Sequence, residues 1–314
     1  VQRVVEAVCQ TQPDLVHFTG PHLWNVVLVR TLRLCSRIPV IHTLHDLDPH
    51  HGTRFGAFIR TWNWLITRLS THVLVHGQIY QARLQAGGLP ADRVTYTPLL
   101  HLFMSADLTP PPATAMGLIA YEPWALFFGR LEPYKGLDSL LAASEMLHNA
   151  QEHLPRLVLA GPGNYFASRK NPLPPHVELR NHLISDEEAI DLFRRCGLVV
   201  LPYIDATQSA LIGAAYYFRK PVIVTQTGAL PEYVEEGRTG RVVPPGHPAG
   251  LARALDEMLD DPARLAEMGL AGRAWYDAQR TVETQTLFDL YHRLVRKEQV
   301  IARHMDYFPT IQPR

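Results

Sequence analysis

The chain alternates short apolar runs with longer stretches whose apolar positions recur every three or four residues. The runs Leu15–Phe18, Val40–Leu44, His72–Val75 and Val94–Tyr96 read as buried strands. So do Trp124–Phe128, Leu157–Ala160, Val177–Leu179, Leu198–Leu201, Val222–Thr225 and Arg241–Val243. Helical periods fill the intervals, among them Arg54–Leu69, Gly136–Asn149, Asp186–Arg195 and Pro248–Leu259. Strands that are apolar at consecutive positions and alternate with helices predict parallel sheets of an α/β fold. The stretch "SADLTPPPATAMG", rich in proline and small residues, separates four strands from six and predicts two domains, 1–112 and 113–280. After them, "TVETQTLFDLYHRLVRKEQ" carries Leu287, Leu290, Tyr291, Leu294 and Val295 on one helical stripe with no strand to follow. Residues 281–314 are therefore expected to be a C-terminal helix that returns toward the first domain. The opening, "VQRVVEAVCQTQPDLVHF", reads as a helix before an internal strand, so the first domain is expected to be truncated at its N-terminus.

Composition narrows the class. The chain has 314 residues, enough for two domains, and 46% hydrophobic residues, enough for sizeable cores. Thirty basic residues balance thirty acidic ones, so the charge does not call for nucleic acid as a partner. Three scattered cysteines, Cys9, Cys35 and Cys196, argue against a disulfide framework and for a reducing, cytoplasmic compartment. No apolar run has the length of a membrane span.

Candidate chemistry gathers at strand ends. In open α/β sheets ligands bind beyond the carboxyl ends of the strands. In "LFFGRLEPYKG" a strand ends, Gly129 turns the chain, and Arg130 and Lys135 follow before a helix. Two fixed cations there suit a diphosphate, Arg forking to its oxygens and Lys acting as a point charge; solvated loop cations are the plainer alternative. "LAGPGN" supplies Gly161 and Gly163, bare backbone that a ligand could approach. In "DATQSALIGAAYYFRKPVI" Asp205 or Thr207 is expected to cap a helix starting near Gln208, leaving free N–H groups for an anion. "TGALPEYVEEGRTG" repeats the pattern, with Gly228 turning the chain, Pro231 in a first helical turn and Glu232 and Glu235 complementing the helix start. The first half offers "PVIHTLHDLDPHHGTRFG", in which His42 and His45 should point to opposite faces of the pleat. His42, His45, Asp46, Asp48, His50 and His51 could also be read as metal ligands, though no second ligand cluster follows. His17 and His76 end two further strands and read equally well as polar caps. On the helix 54–69, Phe55, Phe58, Ile59, Trp62, Ile66 and Leu69 form an apolar stripe opposite Arg60, Trp64 and Arg68. That second face is either an ordinary solvated one or a peripheral contact with acidic lipid headgroups or an acceptor.

In this order the pieces resemble glycosyltransferases of family 4, with the GT-B fold. The resemblance rests on Gly129-Arg130-Leu131, Lys135-Gly136, Gly161-Pro162-Gly163, Lys220-Pro221-Val222-Ile223, Gly228-Ala229-Leu230-Pro231-Glu232, and Gly237 with Gly240, and covers about residues 117–295. It implies two Rossmann-like, doubly wound parallel-sheet domains facing a cleft, the first incomplete here. It further implies an EC 2.4 hexosyltransferase-like enzyme that moves a sugar from a nucleotide-diphosphate sugar to an acceptor hydroxyl with retention of configuration. Such enzymes serve polysaccharide, glycolipid or other glycoconjugate synthesis, in the cytoplasm or at the inner face of the membrane. By the same resemblance the catalytic residues are His45, Arg130 and Lys135. Donor binding falls to Gly129, Arg130, Lys135, Gly161, Gly163, Thr207, Gln208, Ser209 and Glu232. No metal or other cofactor is expected, and the acceptor is a carbohydrate, a lipid or a small molecule. The family usually carries two glutamates eight positions apart, and counting back from Lys220-Pro221-Val222 puts Ala206 and Ala214 in their places. Some branches read Ala-Thr-Gln-Ser here, as this chain does. That departure keeps a non-catalytic nucleotide-sugar binder as the main rival, ahead of a sugar-nucleotide epimerase and a His/Asp metal hydrolase.

Overall fold

The computed structural model describes residues 1–48, 56–101, 124–150, 156–167 and 172–306. His50, His51, Phe55 and the proline-rich break at 105–117 lie outside them. The described strands are β1 Val16–Phe18, β2 Val40–Leu44, β3 His72–Val75, β4 Val94–Tyr96, β5 Ala125–Phe128, β6 Leu157–Ala160, β7 Val177–Arg180, β8 Leu198–Leu201, β9 Val222–Thr225 and β10 Gly240–Val243. The helices are α1 Gln2–Thr11, α2 Asn25–Cys35, α3 Gly56–Leu69, α4 Gln78–Ala86, α5 Leu137–Ala150, α6 Asp186–Arg195, α7 Ala210–Tyr217, α8 Pro248–Leu259 and α9 Pro262–Asp306. Contacts divide the chain into two units, Val1–Pro98 with the chain from Thr281 onward, and Leu99–Arg280. The helix expected to begin at 281 is part of the longer α9, because no proline interrupts the stretch after Pro262 and the helix absorbs Gly269 and Gly272. No described helix is long and apolar enough to cross a membrane.

Unit 1 is a four-stranded parallel sheet in chain order, β1-β2-β3-β4. The two faces of its pleat have different partners. One face presents Ile41 and Leu74, which pack on Leu290 and Leu294 of α9, with Leu287 and Tyr291 flanking them. On this face His17 sits between Tyr291 Oη at 2.7 Å and Thr43 Oγ1 at 2.8 Å. The opposite face presents His42, whose ring stacks on Phe18 with centroids 6.0 Å apart and meets Trp62 of α3 edge-on at 5.5 Å. The apolar stripe of α3 is only partly covered: Ile66 is buried, whereas Phe58 is 53% exposed. Arg60, Trp64 and Arg68 are exposed, with the Arg68 guanidinium 5.9 Å from the Trp64 ring centroid.

Unit 2 is a six-stranded parallel sheet in the order β10-β9-β8-β5-β6-β7. Strands β6, β8 and β9 are buried at every position, as a sheet covered on both faces requires. From β5 the chain winds outward through β6 to β7, then returns to place β8 on the other side of β5. The winding direction therefore reverses between β5 and β8, the topological switch point at which α/β sheets of this kind open a crevice.

Three buried histidines make unit 1 sensitive to acid. Burial lowers His42, His72 and His76 from 6.5 to about 4, each offset in part by a backbone group. The unfolded chain then binds more protons than the native one between these values, so stability falls as pH drops from about 6.5 toward 4 and is complete above that range. Thermal unfolding followed from pH 7.5 to 4.5 should show a progressive loss, and His72→Gln should flatten it. A transition temperature independent of pH across that window would remove this account.

Candidate functional site

The carboxyl ends of β5, β6, β8 and β9 bring the sequence-predicted donor residues of unit 2 onto one edge of one sheet. The loop after β5 is fixed from its start. Gly129 N–H donates to Ala160 O at 2.9 Å and Leu131 N–H to Pro162 O at 2.9 Å, with the Leu131 side chain fully buried. Between them Arg130 projects outward, 69% exposed, and pairs loosely with Glu132 at 3.2 Å. An exposed pair of this kind contributes only about 0–1 kcal/mol, so an anion can displace it. Pro133–Lys135 form one 3-10 turn, and Gly136 at φ 73° turns the chain into α5. Lys135 is half-buried, with Nζ 3.7 Å from the centroid of the Tyr203 ring and 5.0 Å from that of Tyr134.

Tyr203 was not among the residues picked from sequence. It follows β8, far from Lys135 along the chain, and only the adjacency of β5 and β8 puts its ring under the ammonium. A cation over an aromatic face is held in place by the negative face of the ring. Tyr203 is itself fully buried, and burial raises its phenol, with the neighbouring Ser209 side chain opposing part of the rise. The loop that carries it is pinned on both sides: Ile204 N–H donates to Tyr134 O at 2.9 Å, and Thr225 Oγ1 donates to Tyr203 O at 2.5 Å.

Two expectations need correction. Gly161 and Gly163 were read as bare backbone left for a ligand. In the fold, a Cβ on Gly161 would lie 2.1 Å from Gly129 O, and one on Gly163 would lie 2.3 Å from Leu131 O. The neighbouring loop takes the space, and both N–H groups are spent, on Arg180 O at 3.0 Å and on Asn181 Oδ1 at 3.0 Å. These glycines shape the site by letting two loops touch. The second correction concerns the helix after β8. It starts at Ala210, and its cap is Ser209, whose Oγ accepts from Leu211 N–H at 3.4 Å. Neither Asp205 nor Thr207 is the cap; the Thr207 carbonyl accepts from Ala229 N–H at 2.9 Å, tying this loop to the one after β9. Thr207 and Ser209 are buried. Gln208 is half-buried, and its Oε1 is buried without a partner, a polar atom that a ligand donor would satisfy. Glu232 stands half-buried in the 3-10 turn Leu230–Tyr233 of the loop that Thr207 holds; the helix expected there is only this turn.

His45 belongs to unit 1. Its Nε2 donates to Thr19 O at 2.7 Å, and its ring lies 5.1 Å from that of His76. His42 and His45, expected on opposite faces, both line a single cavity, because β2 ends at Leu44 and the chain turns before His45. Among the described residues no three His, Cys, Asp or Glu side chains converge on a point that could hold a metal ion. Asp48 is instead paired with Arg83 at 2.6 Å.

The fold is that of a two-unit α/β protein of the GT-B type, with Arg130 and Lys135 at the strand ends of its second sheet. Residues 1–99 match the Glycosyl transferase 4-like domain and residues 122–261 the Glycosyl transferases group 1 family. Both halves of the chain thus match models of glycosyltransferases. The chain is 30% identical over 297 residues to the D-inositol 3-phosphate glycosyltransferase of Nocardia farcinica, covering 83% of this chain and 63% of that protein. Against the protein of the same name from Streptomyces avermitilis it is 29% identical, over 55% of this chain and 40% of that one. The chain thus spans less than two thirds of these relatives. Among solved structures, Anabaena HepE in complex with UDP-glucose superposes with a TM-score of 0.68 at 20% identity, covering 92% of this chain and 81% of that one. Sucrose-phosphate synthase from Thermosynechococcus elongatus gives 0.71 at 21% identity, covering 94% and 78%.

The interlocked loops yield a stability prediction. A Cβ on Gly136 would lie 1.8 Å from Pro202 O, at a φ of 73°. Gly136→Ala should therefore cost about 2–4 kcal/mol in denaturant unfolding. Gly237→Ala, at φ 71° but with no atom within 4 Å, should cost only the backbone strain, roughly 1 kcal/mol. Equal losses for the two would mean that the close approach of the β5 and β8 loops contributes nothing.

Proposed function

We propose that the protein transfers a sugar from a nucleotide-diphosphate sugar to an acceptor hydroxyl, with retention of anomeric configuration and without a metal ion. The observation that carries this reading is the convergence of Arg130, Lys135, Thr207 and Gln208 on the switch point between β5 and β8. A diphosphate lying there meets the mobile guanidinium of Arg130 from one side and the Lys135 ammonium, braced on Tyr203, from the other. As the bond between the anomeric carbon and the diphosphate oxygen breaks, negative charge grows on that oxygen, and the two cations stabilise it where it develops. The acceptor oxygen attacks the anomeric carbon on the same face, and its proton passes to the departing diphosphate. Gln208 Oε1 accepts a hydrogen bond from a sugar hydroxyl, and His45 positions the acceptor. The matching chemistry in the neighbours is that HepE has been solved with UDP and with UDP-glucose.

Ala206 and Ala214 motivate the second reading, a protein that binds nucleotide sugar without turning it over. Both are buried, at 6% and 3% exposure, among side chains packed for alanine. The first reading makes the cations and the β8 loop sufficient; the second makes the site a decayed one.

Calorimetric titration with UDP tests the grip. The Arg130→Ala, Lys135→Ala double variant should lose on the order of 3 kcal/mol, about a hundredfold in affinity, as two charge-assisted contacts disappear. Arg130→Lys alone should also weaken binding, since an ammonium cannot reproduce the fork. Unchanged affinity in the double variant would sink the assignment. For turnover, UDP-glucose consumption in excess chelator should match that without it; activity lost and then restored by magnesium or manganese would overturn the metal-free mechanism. Ala206→Glu and Ala214→Glu should bind UDP-glucose no better than the parent chain, and a sharp gain would favour the decayed site.

A further inference from the structure

Unit 1 contains a cavity of about 430 Å³ at the carboxyl end of β2, within the size range of small-molecule sites. Leu23, Leu44, Phe58, Ile59 and Trp62 give it apolar walls. Leu23 and Phe58 are 70% and 53% exposed, apolar surface beside the cavity that a ligand would cover. One of its polar members is a defined acceptor. The Thr19 carbonyl can only accept, so the 2.7 Å contact puts the ring proton of His45 on Nε2 and leaves the Nδ1 lone pair open. Asp46 and Asp48 add carboxylates at the rim, and no Lys or Arg is among the described residues that line the cavity. Asn63 sets the shape of this rim, its Nδ2 donating to Asp46 O at 2.7 Å and Leu47 O at 2.8 Å. The floor is equally fixed. Asn25 Nδ2 donates to Gly20 O at 2.9 Å and to His42 Nε2 at 3.0 Å, which orients the His42 ring edge-on to Trp62.

We infer that this cavity holds an uncharged, hydroxyl-bearing ligand with an apolar ring, the ring lying against Phe58 and Trp62 and the hydroxyl donating to His45 Nδ1. It rests on the glycosyltransferase reading only in calling that ligand the acceptor. An apolar body accounts for the exposed Leu23 and Phe58, and a donor hydroxyl for the open His45 Nδ1. A phosphate-bearing polyol of the kind named for the relatives fits neither: it has no apolar body for the ring walls, and the described lining holds no Lys or Arg, the nearby Arg83 being taken up by Asp48.

Titration calorimetry of the whole chain with para-propylphenol and, separately, with inositol 3-phosphate tests the assignment. The phenol should bind saturably, and Phe58→Asp, at a solvent-exposed position that the fold tolerates, should weaken it at least about tenfold, the effect of placing a charge against an apolar ligand. His45→Ala should weaken it by a similar factor through loss of the acceptor nitrogen, and His45→Gln, whose amide oxygen can accept, should recover part of the loss. Inositol 3-phosphate should give no binding that Phe58→Asp alters. Absence of saturable phenol binding, phenol affinity unchanged in Phe58→Asp, or inositol 3-phosphate binding that this variant weakens would each overturn the proposal. A parallel UDP titration keeps the two claims apart: failure of UDP to bind removes the transferase reading and leaves the cavity's ligand class to be judged by the phenol.

Discussion

The second unit depends on how closely three loops approach one another at the carboxyl ends of β5, β6 and β8. Gly161 and Gly163 let the β6 loop lie against the carbonyls of Gly129 and Leu131, and Gly136 lets the β5 loop lie against that of Pro202. Any side chain at these positions would force the backbones apart. The contact has two consequences. It takes up backbone N–H groups of Gly129, Leu131, Gly161 and Gly163, and it sets Arg130 and Lys135 on a tightly packed frame. In the proposed function, recognition of an anion falls to these cations, one exposed and one braced on an aromatic ring, rather than to a nest of N–H groups. Catalysis by electrostatic stabilisation requires such a frame, because charges that must reorganise during the reaction lose much of their effect.

The first unit solves a different problem. Its sheet is narrow, and each face carries a histidine bonded to a neighbour, the half-buried His17 to Tyr291 and Thr43 on one side and the buried His42 to Asn25 on the other. Burial lowers both histidines and keeps them neutral, so they act as fixed hydrogen-bonding groups. Through Tyr291 and Leu290, α9 becomes part of the same core as β2, and so helps set the strand whose end carries His45. The polar groups of this core do not titrate at neutral pH, which suits a wall that must present one constant shape to a ligand.

Much of this was legible in the sequence. Consecutive apolar runs separated by helical periods gave all ten strands within a residue or so, since a strand buried on both faces leaves an unmistakable block of Val, Leu and Ile such as "LVVL" or "VIVT". Asp186–Arg195 was readable to the residue because Ser185 caps it and an acidic first turn follows. What the sequence did not carry was long-range contact. Gly161 and Gly163 look alike whether a ligand or a neighbouring loop needs the space, and only the order of the strands decides. The start of α7 was misplaced by two residues because Asp205, Thr207 and Ser209 are all competent caps, and it is Ser209 that caps while the Thr207 carbonyl is tied to Ala229 of the next loop. Tyr203 and Trp62 were missed or read as plain core for the same reason: an aromatic ring announces no function until its partner, here Lys135 or His42, is known to lie beside it.

The central claim is that a nucleoside diphosphate seats on the edge formed by the β5 and β8 loops. Backbone amide NMR of the protein titrated with UDP tests it most directly, because every N–H reports its own surroundings. The account predicts that the largest shifts fall on residues 129–136 and 203–209, with those of 237–243 and of the β1–β4 sheet nearly unmoved. Saturable binding whose largest shifts lie outside the β5 and β8 loops would contradict it, whatever the affinity.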